Sequence, residues 1–196
     1  MSKQNGANHQ NSAAEFTLTP EEVTSLFEAA RNPRDGLILR VLYFGAIRRQ
    51  ELCDLDVQDV QFDRRRVLIR SGKGGKSRVI RLPEGVLQRL REYVGRRRTG
   101  PLFRSERKGK RLSVRGVNHI VSGIGERAGV TNPNPSLKHV NPHLLRHSFA
   151  RHYLARGGDL RKLSQLLGHA NVAITHAVYG TASEEEIDEE YQRLMG

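Results

Sequence analysis

Six side chains in this 196-residue sequence are of the types needed to move a phosphoryl group without a metal: Arg48, Lys73, His143, Arg146, His169 and Tyr179. A nucleophile attacking a phosphodiester needs donors on the two non-bridging oxygens, an acid for the departing oxygen and an acceptor for its own proton. Arginine suits the first task, because its planar fork stays charged and can bond in bidentate fashion. Lysine and histidine suit the proton transfers, and a tyrosine hydroxyl can be the nucleophile. Such groups must act together. Phosphate esters demand barrier reductions of ~20 kcal/mol, whereas one preorganised donor supplies roughly 3 to 4 kcal/mol and one general acid or base roughly 3 to 5. Two arginines, two histidines and a lysine reach that order; a lone arginine does not.

The elements that must hold these groups follow from periodicity. Residues 1–15 are polar and aperiodic and read as a disordered tail. The run Thr19, Pro20, Glu21, Glu22 supplies an N-cap, a first-turn proline and a carboxylate three residues after the cap, opening a helix with Val23, Leu26, Phe27 and Ala30 on one face. Apolar helices are predicted at about residues 36–44 and 48–55. Between residues 57 and 82 the period changes to two, and VQDVQF, VLIR and RVIRL read as short strands of a small antiparallel meander, punctuated by DRRR and SGKGGKS. Helical spacing returns over about 84–94 and 113–128. After the loop TNPNPSLKHVNP it runs from Pro142 nearly to the end, broken at ARGGD, LGHAN and YGTAS. The expected fold is mostly α with a small three-stranded antiparallel β-sheet (α+β) over residues 16–182. Residues 183–196 then form an acidic amphipathic helix with Ile187, Tyr191, Leu194 and Met195 on one face.

Charge names a class of partner. The chain carries 33 Lys and Arg against 21 Asp and Glu. Residues 183–196 hold six acids and one base, so the rest has 32 bases against 15 acids, a net +17. A body that basic attracts polyanions and should bind DNA or RNA with strong salt dependence. No apolar run approaches the roughly 20 residues that span a bilayer, and the N-terminus lacks the apolar core of a signal peptide, so the expected compartment is the cytoplasm, with the nucleoid. A single cysteine, Cys53, cannot pair within the chain and reads as a buried thiol.

Four segments, YFGAIRRQELCDLDVQDV, RSGKGGKSRVIRLP, NPHLLRHSFARHYL and LSQLLGHANVAITHAVYG, resemble in order and spacing the characteristic boxes of tyrosine recombinases and phage-type integrases. Any one box is weak, but four in sequence, each with its expected polar residue, are specific, and they cover roughly residues 17–180. The resemblance implies the catalytic domain of a site-specific DNA recombinase that cleaves and rejoins strands through a covalent 3′-phosphotyrosyl link, with no metal or nucleotide cofactor. Arg48 and Arg146 would clamp the scissile phosphate, and Lys73 would protonate the departing 5′ oxygen. His143 would assist proton transfer at the nucleophile, His169 would add a phosphate hydrogen bond, and Tyr179 would be the nucleophile. The family's usual interval from the third-box histidine to the tyrosine is nine residues; here it is ten, as in many phage-type members. Most members carry a further helical domain ahead of this one, where this sequence has the polar tail.

Each assignment competes with an ordinary role. Arg48 could be a surface arginine, and Lys73 competes with Lys76, which is assigned instead to a backbone phosphate. His147 resembles a position that packs or supports, Glu51 reads as a brace for an arginine, and His119, His139, His152 and His176 as surface or packing. Tyr43, Tyr93, Tyr153 and Tyr191 do not stand at the family's distance from an LGH box. The basic runs Arg64, Arg65, Arg66 and Lys108, Lys110, Arg111 are expected to touch DNA phosphates without reading sequence. The family resemblance also implies that the terminal helix docks on a neighbouring protomer, in a tetramer synapsing two double-stranded sites. Two rivals remain: a DNA-binding regulator on the same fold without catalysis, and a metal-dependent nuclease, for which no clustered carboxylates appear outside the tail.

Overall fold

The computed structural model describes residues 16–70, 77–106, 109–169, 171–180 and Gln192. Lys73, Lys76, Lys108, the tail at residues 1–15 and the expected helix over 183–196 therefore lie outside the described residues, apart from Gln192.

Helix α1 (Pro20–Glu28) opens on the expected capping box, with Glu22 N–H donating to Thr19 Oγ1 at 3.2 Å and Thr19 N–H to Glu22 Oε2 at 2.8 Å. Helix α2 (Pro33–Phe44) starts three residues earlier than expected, because Asn32 caps it through Asp35 N–H and Pro33 fits the first turn. Leu37, Ile38, Leu39, Val41, Leu42 and Tyr43 are all buried, so α2 is the central helix. The short α3 (Arg49–Asp54) follows with Arg48 at its N-cap.

The sheet is three-stranded and antiparallel in the order β1 (Val60–Gln61), β2 (Arg66–Ile69), β3 (Arg78–Ile80), with Val67 paired to both Val60 and Ile80. The first strand is shorter than expected. Val57–Asp59 forms a 3-10 turn, because Asp59 accepts the Asp56 N–H at 2.8 Å and Arg70 bridges both carboxylates at 2.7 and 2.8 Å. Local side-chain bonds there outcompete the ladder that alternation alone suggests.

Helices α4 (Glu84–Val94) and α5 (Val114–Ala128) complete the main core. Then α6 (Pro142–Ala155), α7 (Leu160–Leu167) and α8 (Val172–Tyr179) begin on the side-chain caps Asn141, Asp159 and Asn171. Helix α6 packs on α2, and α7 on α8. Behind them a second apolar cluster joins Ala46, Ala150, Leu163, Leu167 and Tyr179. It is this small cluster that brings the end of α2, the middle of α6 and the last turn of α8 together. No helix among the described residues is long and apolar enough to cross a membrane.

Candidate active site

Arg48, His143, Arg146, His169 and Tyr179 line one cleft, together with His147. Arg146, on α6, is 4% exposed and held from two sides. One terminal nitrogen donates to the Ala46 carbonyl and the other to Leu167 O at 2.8 Å. Ala46 has φ +46, a conformation that costs a residue with a Cβ, and it is fully buried. That left-handed turn after α2 aims its carbonyl at Arg146 while its methyl joins the apolar cluster that includes Tyr179. Burial, then the nearby Arg48, brings the Arg146 guanidinium down to about 10, still protonated at neutral pH.

Arg48 reaches the cleft from the N-cap of α3 with its side chain about half exposed. Glu51, one turn on, braces it, accepting the Arg48 N–H at 2.7 Å and one guanidinium nitrogen at 3.1 Å. The same carboxylate takes a bidentate pair from Arg78 of β3 at 2.7 and 2.8 Å, and Arg78 Nε donates to Leu166 O at 3.1 Å. Strand β3, α3 and the end of α7 are thus tied at one point. Gly168 closes α7 at φ +67, and a Cβ there would lie 2.8 Å from Arg78 Cδ, so the glycine permits that approach.

His169 follows immediately. Its Nε2 faces Arg146 at 3.2 Å and its Nδ1 faces Thr175 Oγ1 at 2.8 Å. A guanidinium only donates, so Nε2 is the acceptor and Nδ1 carries the proton. Burial, then Arg146, Arg48 and Arg78, press His169 down to about 4. Tyr179 is the last residue of α8; its ring is 5% exposed in the second cluster while its hydroxyl lies 2.5 Å from His147 Nδ1. Burial pushes the phenol up to about 12, against the pull of Arg146 and Arg151. His143 opens to solvent at the start of α6 and is lowered by burial, then by Arg146, Arg49 and Arg48.

Two residues were missed by the sequence reading. His147 meets the phenol directly, although the sequence suggested only a packing or supporting role; the available signal was its place one turn after His143, on the same face of α6. Arg78 carried no signal beyond a basic residue at the start of a strand. Arg111, expected at phosphate, donates to the Cys53 carbonyl at 2.8 Å and the Leu55 carbonyl at 3.2 Å and pairs with Asp56, closing the end of α3. Its guanidinium is engaged because α3 leaves those carbonyls without helical partners. Arg64 and Lys110 are exposed, Arg65 pairs with Glu84, and Arg66 donates to Gln61; none of the four lines the cleft. Cys53 is buried, and burial pushes its thiol up to about 11. Among the described residues no cluster of three or more His, Cys, Asp or Glu is placed to hold a metal.

Residues 17–186 match the model of the phage integrase family. The chain is 39% identical over 163 residues to the tyrosine recombinase XerA of Pyrococcus horikoshii, covering 81% of this chain and 54% of that protein. It thus spans about half the length of this curated relative. A crystal structure of XerA recombinase superposes with a TM-score of 0.77 at 31% identity, covering 97% of this chain and 67% of that one. A pre-cleavage complex of XerH site-specific recombinase bound to its difH substrate gives 0.71 at 25%, covering 89% and 53%.

Proposed function

The chain belongs to the phage integrase family, and from that premise we propose that it is the catalytic domain of a tyrosine site-specific recombinase acting on double-stranded DNA. One observation carries the reading: the Tyr179 hydroxyl shares a cleft with two arginines and three histidines, the donors a pentavalent phosphate needs and the imidazoles its proton transfers need. Arg48 and Arg146 hold the non-bridging oxygens, Tyr179 attacks phosphorus, and Lys73 protonates the 5′ oxygen as it leaves. The bond energy is kept in a 3′-phosphotyrosine, so a second strand can be joined without a metal or nucleotide. Burial of Arg146 strengthens its effect on developing charge, because water does not compete there. His169 accepts from Arg146 in the free site; a phosphate taking that place on the guanidinium turns His169 into a donor once it gains a proton. The XerH relative was solved on its DNA substrate, which supports DNA as the partner here. Residues 183–196, with an apolar stripe among acids, dock on a neighbouring protomer in a tetramer that synapses two sites.

The test is covalent capture. The protein is incubated in EDTA with a pool of nicked duplexes of randomised sequence around the nick, then denatured. A protein–DNA adduct is expected, with Tyr179→Phe abolishing it while the variant still melts cooperatively. Binding without adduct would mean a regulator, and cleavage only on adding divalent metal would mean a nuclease; either overturns the proposal.

A further inference from the structure

His143 and His147 stand four residues apart on α6, so their rings share one face of the helix. The rings meet edge to face with centroids 4.2 Å apart and Nε2 to Nε2 at 2.7 Å. At its other end, His147 presents Nδ1 to the Tyr179 hydroxyl at 2.5 Å. The three groups form a continuous chain of two hydrogen bonds. A neutral imidazole has one N–H and one lone pair. When the phenol donates to Nδ1 of His147, that ring therefore carries its proton on Nε2 and donates to Nε2 of His143. His143 then holds its own proton on Nδ1. The chain runs from a buried phenol to an exposed histidine.

Resting on the reading of Tyr179 as nucleophile, we propose that His147 is the group that takes the Tyr179 proton, and that His143, one turn earlier, is where that charge leaves the site. In the forward step the Tyr179 O–H bond breaks, its proton passes to Nδ1 of His147, and the freed oxygen pair forms the bond to phosphorus. The bond from phosphorus to the 5′ oxygen breaks with its electron pair, and that oxygen is protonated by the general acid. The Nε2 proton of His147 passes to Nε2 of His143. His147 ends neutral as the opposite tautomer and His143 ends as an imidazolium, which releases a proton to water or returns it when the strand is rejoined. No electrons change hands.

The surroundings fit a relay that rests until substrate arrives. Burial first, then His143, Arg146 and His169, bring His147 down to about 4, so it is neutral and able to accept at pH 7. The phenol, near 12, keeps its proton while the cleft is empty. A phosphodiester anion seated among these cations offsets the charge that opposes protonation of His147. The buried Arg146 meanwhile favours the phenolate. Attack is thereby coupled to phosphate binding, which protects the nucleophile from idle ionisation.

The experiment uses the full chain and the same pool of nicked duplexes, made with oxygen or with sulfur at the 5′-bridging position. A sulfur leaving group needs no proton, so it removes the need for the acid and isolates attack. His147→Asn keeps an acceptor oxygen near the Nδ1 position but cannot carry a proton. Its adduct formation is expected to slow by roughly 10²- to 10⁴-fold with either leaving group, while added free imidazole restores rate to His147→Ala. An Asn variant as fast as wild type, or a deficit repaired by sulfur, overturns the inference. Should these variants fail to melt cooperatively, ¹⁵N ring shifts of the wild-type protein decide: the free site must show His147 unprotonated at Nδ1 and protonated at Nε2, and the reverse tautomer overturns it. A wild-type protein that forms no Tyr179-dependent adduct sinks the recombinase reading itself, an outcome separate from a wild type that reacts and an Asn variant that reacts equally well.

Discussion

Replacing Glu51 with glutamine should be among the most damaging isosteric changes in the molecule. Its carboxylate is 15% exposed and Arg78 13% exposed, so the pair sits largely out of water. Every oxygen position is used: one faces Arg78 and Arg48 guanidinium nitrogens, the other Arg78 and the Arg48 N–H. An amide offers one oxygen and one NH₂, so in either orientation a donor confronts a donor. Arg78 cannot simply swing away, because its Nε is bound to Leu166 O. Leaving a buried cation without its partner costs about 3 to 5 kcal/mol. For a domain of this size each kcal/mol lowers the melting temperature by roughly 2 to 4 °C, so Glu51→Gln should melt about 6 to 20 °C lower.

The pH dependence follows with a definite sign. Burial works to raise the Glu51 pKa, but the hydrogen bonds from Arg78 and Arg48 outweigh it and hold the carboxyl below its ordinary 4.5. A depressed carboxyl contributes stability that is full above 4.5 and lost as pH falls through the folded value. Wild type and Glu51→Gln should therefore differ most at neutral pH and converge in acid. Thermal melts between pH 7 and pH 3 read both effects, and adding Arg78→Met removes the orphaned cation and should recover much of the loss. A single variant that melts with wild type at pH 7, or a double variant no more stable than the single, would refute the reasoning.

Three further outcomes can be checked with the same protein. Arg111→Ala should cost about 1 to 3 kcal/mol in denaturant melts by orphaning the Cys53 carbonyl, since the Leu55 carbonyl keeps the Leu102 N–H, with the salt slope of DNA binding unchanged. If Arg64 meets a phosphate, Arg64→Ala should do the converse, reducing that slope by about 0.9 at constant stability. His147 and His169, both near 4 against an ordinary 6.5, stay neutral in the fold while the unfolded chain binds protons, so stability should fall as pH drops from about 6.5 toward 4. Denaturant midpoints across that range should show the decline, and His169→Asn should flatten it; a flat wild-type profile would contradict the neutral assignment.

What the sequence settled was local. The capping box at Thr19 and Glu22 and the helical spacing that resumes at Pro142 are read from neighbours a few residues away, and they put α1 and α6 where that pattern required. The alternation of VLIR and RVIRL likewise placed β2 and β3, and the order of the motif residues pointed to the family to which the chain belongs. What only folding decided were partners distant in the chain. Ala46 turns its carbonyl to an arginine a hundred residues later, Arg78 reaches Glu51 across strand and helix, and His147 meets a tyrosine on another helix. Helical periodicity tells which way a side chain points but not what will be packed opposite it, and whether a histidine fills space or faces a tyrosine hydroxyl depends on that opposing surface alone. For the same reason Arg111, one more cation in a basic run, closes a helix end, and the aspartates around Val57 bend the chain where alternation alone suggested a strand.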